Sequence, residues 1–256
     1  MRKQIEVYGV NVRFYEAGIG SPILLLHGAG GQARLWRRLM GPLSKRHRVI
    51  APDLPGFGGS DYSPSINSVR DYAKFVADFI DALGIERASI VGSSMGGWAA
   101  CWLALDFPER VVDLVLISPA GLYFPDNPPM SVPQVIAELK DYYAKAALDA
   151  EALNTGSGAE LEKAVHTITA IDEKGGSAPD LAGRLSGIKA RTLIIWGTAD
   201  RVIPASYAGA FGSGIEGSKV VMLDDAGHLP YIERPEECYE IIKGFLEATG
   251  FPLAQE

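Results

Sequence analysis

Short, mostly apolar runs recur along the chain at residues 23–26, 49–51, 89–91, 112–117, 192–196 and 220–223. Turn-forming or polar residues bound most of them, the pattern of strands buried on both faces. Ahead of them, residues 5–8 and 12–16 predict an antiparallel hairpin around Gly9-Val10-Asn11. Helical patterns separate most of the runs, among them 69–83 and 235–249. Strands alternating with helices predict an α/β protein with a mainly parallel, doubly wound sheet of about eight strands.

The alternation breaks between Leu122 and Gly187. Pro125-Asp126-Asn127-Pro128-Pro129 opens this segment, which contains no convincing buried strand. Val135, Leu139, Tyr142 or Tyr143, and Ala146 fall at helical spacing, as do Leu161, Val165, Ile168 and Ile171. Residues 1–121 and 188–256 therefore read as one core, with 122–187 as a helical lid inserted between two strands. Most of the apolar stripe belongs to the lid's own packing, while some of Met130, Tyr142, Tyr143 and Ile168 face the cavity beneath it.

Composition narrows the classes. A chain of 256 residues, 47% hydrophobic, can bury about three-quarters of its unfolded surface in one core. A formal net charge of -7 argues against nucleic acid and anionic membrane as partners. No run reaches the roughly 20 apolar residues that span a bilayer. Met1-Arg2-Lys3-Gln4-Ile5-Glu6 lacks a signal-peptide apolar stretch. Cys101 and Cys238 sit in neither metal-like nor redox-like spacing, and read as reduced structural thiols of a cytoplasmic protein. Oligomeric state has no signature in the sequence.

The chemistry centres on Gly92-Ser93-Ser94-Met95-Gly96-Gly97, between the strand ending at Val91 and a helical run from Trp98. Strand, sharp turn and helix with serine at the apex form a nucleophile elbow. The turn lifts Ser94 above the sheet edge and aims the Met95 amide, at the positive end of the helix, toward developing negative charge. A serine hydroxyl needs a base, and the chain has four histidines. His228 follows a strand, in the loop position where an open α/β sheet keeps its site. His27 reads as a ring packed beneath a loop, His47 as solvated in a basic stretch, and His166 as a surface or lid residue. The acid that orients His228 is Asp200, after the strand 192–196, with Asp224 and Asp225 as rivals close to the histidine.

These motifs resemble those of the α/β-hydrolase family over nearly the whole chain. His27-Gly28-Ala29-Gly30-Gly31 resembles its oxyanion loop, and Asp53-Leu54-Pro55-Gly56-Phe57-Gly58-Gly59-Ser60 the turn after its fourth strand. Gly197-Thr198-Ala199-Asp200 and Gly227-His228 match its acid and base segments. Arg191 stands where relatives often place proline. The resemblance implies a Ser94-His228-Asp200 triad, an oxyanion hole from the Ala29 and Met95 amides, and no cofactor or metal. The implied partner is a small-molecule substrate in a pocket drawn from Gly30, Trp98, Met130, Tyr142, Tyr143, Ile168 and Leu229. Ester or thioester cleavage is the implied reaction. Carbon–carbon cleavage of ring-cleavage diketones is the alternative, although Ser93 and Gly30-Gly31-Gln32 depart from the pattern of those relatives. Two readings of other classes stand beside these. One is an inactive binding protein on a hydrolase fold. The other is a dinucleotide-binding oxidoreductase, since Gly28-Ala29-Gly30-Gly31-Gln32-Ala33 with Asp53 mimics a ribose-binding fingerprint.

Overall fold

Eight strands form a single sheet in the computed structural model, which describes residues 1–131, 133–134, 137, 158–173 and 181–248. They are β1 (Arg2–Val7), β2 (Val10–Ala17), β3 (Ser21–Leu26), β4 (His47–Pro52), β5 (Ala88–Ser93), β6 (Val111–Ile117), β7 (Arg191–Gly197) and β8 (Lys219–Leu223). Their spatial order is β1-β2-β4-β3-β5-β6-β7-β8. β2 runs antiparallel to both of its neighbours, and every other pairing is parallel. The first hairpin turns one step earlier than its sequence predicts. Tyr8 and Gly9 take φ of 49° and 78°, a two-residue turn whose twist suits the flanking strands. Val10 and Asn11 therefore pair with Val7 and Glu6 instead of turning.

The described helices are α1 (Arg37–Leu43), α2 (Val69–Ala82), α3 (Met95–Asp106), α4 (Gly158–Glu173), α5 (Tyr207–Gly214), α6 (Pro230–Glu233) and α7 (Pro235–Glu247). Alternate strand residues feed two cores. Leu24, Leu26, Ile90, Leu114, Leu116 and Trp196 pack with α2, α3 and α5 on one face. Ile23, Leu25, Val91, Val115, Ile117 and Ile195 pack with α1 and α7 on the other. Strands with apolar residues at successive positions need both coverings, so the doubly wound sheet follows from the runs themselves. α2 begins with a capping box, in which the Asp71 amide donates to Ser68 Oγ and the Ser68 amide to Asp71 Oδ2. Arg191, at the start of β7, pairs with Asp113 of β6 at 3.0 Å and donates to the Phe245 carbonyl of α7 at 2.6 Å.

α4 lies in the segment between β6 and β7. Ala164, Thr167, Ile168 and Ile171 are buried, whereas Val165 is 39% exposed. The inward stripe is thus rotated from the predicted one, because α4 also docks through polar groups onto the loop after β4. Lys163 Nζ donates to the Gly58 and Ser60 carbonyls at 3.0 and 2.5 Å, and Thr167 Oγ1 to the Gly56 carbonyl at 3.3 Å. The Leu161 side chain and residues Val135, Leu139, Tyr142, Tyr143 and Ala146 lie outside the described residues. Among the described residues, no helix is long and apolar enough to cross a membrane.

Candidate active site

β5 ends at Ser93 and α3 begins at Met95, so Ser94 alone makes the reversal. It does so at φ 52°, ψ −120°, a conformation that costs a residue with a side chain on the order of 1–3 kcal/mol. The backbone is held on both sides. The Ser94 amide donates to the Ile117 carbonyl at 3.0 Å, and the Ser94 carbonyl accepts from Trp98 and Ala120, each at 3.0 Å. A Cβ on Gly96 would overlap the Leu26 and His27 carbonyls, and one on Gly92 would overlap the Gly96 carbonyl. The tight packing of β5, the elbow and the loop after β3 thus needs bare backbone at both positions. Ser94 is half-buried, whereas Ser93 is fully buried inside the sheet.

Asp200 follows β7 and His228 follows β8, the neighbouring strand. His228 Nδ1 and Asp200 Oδ2 are 2.9 Å apart, with side-chain exposures of 8% and 0%. The other oxygen, Asp200 Oδ1, accepts from the Val202 and Ile203 amides at 2.9 and 3.0 Å. Both carboxylate oxygens are therefore engaged, which fixes the side chain in place. Asp224 and Asp225 are exposed, and it is Asp200 that reaches the imidazole. The two loops interlock: Ala199 donates to the Ala226 carbonyl and Thr198 to the Leu223 carbonyl, each at 2.9 Å.

The loop after β3 runs beside Ser94. A Cβ on Gly28 would lie 2.9 Å from Ser94 Cβ and 3.5 Å from its Oγ. His27 is fully buried, and both ring nitrogens are engaged. Nε2 accepts from the Leu54 amide at 2.9 Å, so Nδ1 carries the proton and donates to the Gly28 carbonyl at 2.8 Å. Burial holds this histidine's pKa below the usual value. The Gly31 amide donates to the same Gly28 carbonyl at 3.0 Å. With that carbonyl held from one side across a trans peptide, the Ala29 N–H points the opposite way. Neither the Ala29 nor the Met95 amide donates to another described residue. His47 is half-buried at the start of β4, not solvated, and burial lowers its pKa too. His166 is exposed on α4, its ring centroid 5.1 Å from that of Tyr62.

Asp53, the acid of the dinucleotide-like pattern, is not open to a ribose. Its carboxylate is fully buried and accepts from the Ala33 and Gly59 amides and from Arg13 Nε at 2.7, 2.9 and 2.5 Å. Among the described residues no group of three or more His, Cys, Asp or Glu could hold a metal ion. Cys101 and Cys238 are free and buried, and burial raises both thiol pKa values.

The residues assigned to the pocket from sequence separate into two groups. Trp98, Met130 and Ile168 join one apolar cluster, which also holds Ala29 and Met95, while Leu229 is packed into the cluster on the other face. Ile168 of α4 lies over the oxyanion loop, its Cδ1 3.9 Å from where a Gly30 Cβ would stand. Trp98 packs against Gly121 and Met130 donates its amide to the Val202 carbonyl, beside Asp200. Tyr142 and Tyr143 lie outside the described residues. Sequence reading missed the Val202 and Ile203 amides. The signal was an aspartate opening a turn, where its side chain can take amides two and three residues on.

Residues 23–241 match the model of the alpha/beta hydrolase family. The chain is 33% identical over 256 residues to the dihydrolipoyllysine-residue acetyltransferase component of the acetoin cleaving system of Cupriavidus necator, covering 94% of this chain and 68% of that protein. It is 31% identical over 261 residues to 2-hydroxy-6-oxo-6-phenylhexa-2,4-dienoate hydrolase of Comamonas testosteroni, covering 92% and 91% of the two chains. Among solved structures, a serine hydrolase involved in carbazole degradation superposes with a TM-score of 0.83 at 30% identity, covering 97% of this chain and 99% of the other. A match of this length on this strand order makes the chain a hydrolase belonging to the alpha/beta hydrolase family.

Proposed function

We propose that this hydrolase cleaves carboxylic esters, thioesters included, of small apolar acyl groups through an acyl-enzyme. The observation that carries the reading is the strained Ser94 on the same sheet rim as a buried His228–Asp200 pair bonded at 2.9 Å. His228 Nε2 takes the Ser94 proton as Oγ attacks the acyl carbon. Asp200 fixes the tautomer and stabilises the imidazolium. The tetrahedral oxyanion is held by the Ala29 and Met95 amides, and collapse returns the proton to the leaving alcohol or thiol. Water activated by His228 then releases the acid. The proton given to the leaving group is replaced from that water, by way of His228 to Ser94 Oγ, so the cycle calls for no metal or cofactor. Met95, Trp98, Met130 and Ile168 supply apolar walls. Residues 122–187 act as a lid on a core made of 1–121 and 188–256, with Gly30 and Ile168 where lid and oxyanion loop meet.

A second reading, carbon–carbon cleavage of a ring-cleavage diketone, is favoured by the dienoate hydrolase relative aligned over nine-tenths of both chains. One experiment separates them. A phosphonate probe should label Ser94, and the enzyme should turn over p-nitrophenyl esters of short acyl chains faster than a 2-hydroxy-6-oxo-dienoate. A higher kcat/KM on the dienoate would transfer the function to the second reading. An unlabelled Ser94 would defeat both.

A further inference from the structure

The triad explains what holds the His228 ring but not what holds its backbone. β8 is an edge strand with exposed Lys219, Val220 and Met222, and the loop leaving it passes through Asp225 at φ 56°. As far as Ala226 the loop is tied to the Asp200 loop, Ala199 donating to the Ala226 carbonyl at 2.9 Å and Asp225 to Thr198 Oγ1 at 3.1 Å. Beyond Ala226 the stabilising contact comes from further along the chain. Glu233 Oε2 accepts from the Gly227 amide at 2.7 Å, and Oε1 accepts from the Leu229 amide at 3.1 Å. One carboxylate thus binds the amides on both sides of His228.

The charge of Glu233 is used ahead of its own helix and not where its backbone lies. Glu233 ends the four-residue α6, where the dipole disfavours an anion. Its side chain turns back to amides that precede the helix, where negative charge is favoured, through charge-assisted bonds. The seven residues from Gly227 to Glu233 also close on themselves through the backbone. Ile232 and Glu233 donate to the Leu229 carbonyl at 2.8 and 3.1 Å. Gly227 fits this closure, since a Cβ there would stand only 3.0 and 3.2 Å from the two carboxylate oxygens.

We infer that Glu233 is a positioning residue for the general base: its carboxylate clamps the His228 backbone so that Nε2 meets the Ser94 hydroxyl while Asp200 holds Nδ1. The inference rests on the acyl-enzyme reading above. A displacement of about 1 Å in such a group costs on the order of 10²-fold in rate.

The test compares wild type, Glu233→Gln and Glu233→Ala on a p-nitrophenyl ester. Each is followed by circular dichroism, by labelling with a phosphonate probe, and by the downfield proton resonance of His228 Nδ1–H. Glu233→Ala should lose about 10²-fold in kcat with KM changed by less than about threefold, and its downfield resonance should weaken. Glu233→Gln keeps the shape but has one acceptor oxygen for two amides, so it should lose about tenfold and remains decisive if the alanine variant fails to fold. Folded variants with kcat within about twofold of wild type and an unchanged resonance would reduce Glu233 to a loop stabiliser and overturn the proposal. A wild-type enzyme that neither labels at Ser94 nor hydrolyses the ester would instead remove the acyl-enzyme reading, and this role with it.

Discussion

Two aspartates near His228 in sequence and one distant aspartate compete for the same role, and side-chain reach decides between them. Asp200 is fully committed, with Oδ2 on the imidazole and Oδ1 on two amides. An asparagine there cannot accept from all three donors, and its NH2 would favour the wrong histidine tautomer. Asp200→Asn should therefore lower kcat on the order of 10⁴-fold with an unchanged fold. Asp225→Asn should stay within about tenfold, because asparagine tolerates the left-handed backbone that Asp225 adopts. Steady-state kinetics on both variants check this, and a larger loss at Asp225 would reassign the acid.

His27 gives a pH prediction. Burial lowers its pKa in the folded chain below the unfolded value. Above about 6.5 both states are neutral and the residue adds no pH dependence. As pH falls below that value the unfolded chain takes up a proton first, so stability is lost with a slope of at most about 1.4 kcal/mol per pH unit. Protonation would also break the bond that Nε2 accepts from Leu54. Thermal melts of wild type between about pH 7.5 and 5.5, about one unit either side of 6.5, should show a steeper acid loss than those of His27→Gln. Equal slopes would mean that other groups cause it.

At the scale of elements, the loops bearing Asp200 and His228 meet because β7 and β8 are neighbours in the sheet. Gly197, the last residue of β7, makes this possible, since a Cβ there would overlap the Ala226 and Gly227 carbonyls. Gly197→Ala should push the loops apart, costing about 1–3 kcal/mol. Melting should fall by several degrees, roughly 2–4 °C for each kcal/mol in a chain of this size. kcat should suffer more than KM, because the imidazole–carboxylate pair spans the seam. Activity retained at wild-type level would show that the seam can relax. The same scale shows where patterns mislead. α1 contains Gly41 and Pro42 and α5 contains Gly209 and Gly212, so local propensity speaks against both helices. They form because Leu39 and Leu43, and Tyr207 and Phe211, are buried against opposite faces of the sheet.

Across the whole molecule, one aromatic stack links the loop after β3 to the loop after β8. Trp36 follows the first and Tyr231 follows His228, and their rings stack at 4.1 Å between centroids. Both side chains are fully buried in the cluster that carries α1 and α7. Tyr231→Ala should cost about 3–5 kcal/mol, read as a lower urea midpoint with an unchanged m-value. A loss below about 1 kcal/mol would mean that the two loops are held independently.

Strand positions and the elbow were legible in the sequence because they rest on short-range physics. An apolar run buries both faces, and a Gly-x-Ser-x-Gly turn needs bare backbone. These follow from neighbours within a few residues. Asp200 and His228 were legible as candidate partners from their places after two apolar runs, but the bond between them joins residues 28 apart. The rotation of α4 depends on Lys163 finding carbonyls more than 100 residues earlier. The clamp of Glu233 on the amides beside His228 needs a turn whose path no local pattern announces. Those contacts were decided by tertiary structure alone, because hydrogen bonds need angstrom placement and only the packed sheet sets where its loops meet.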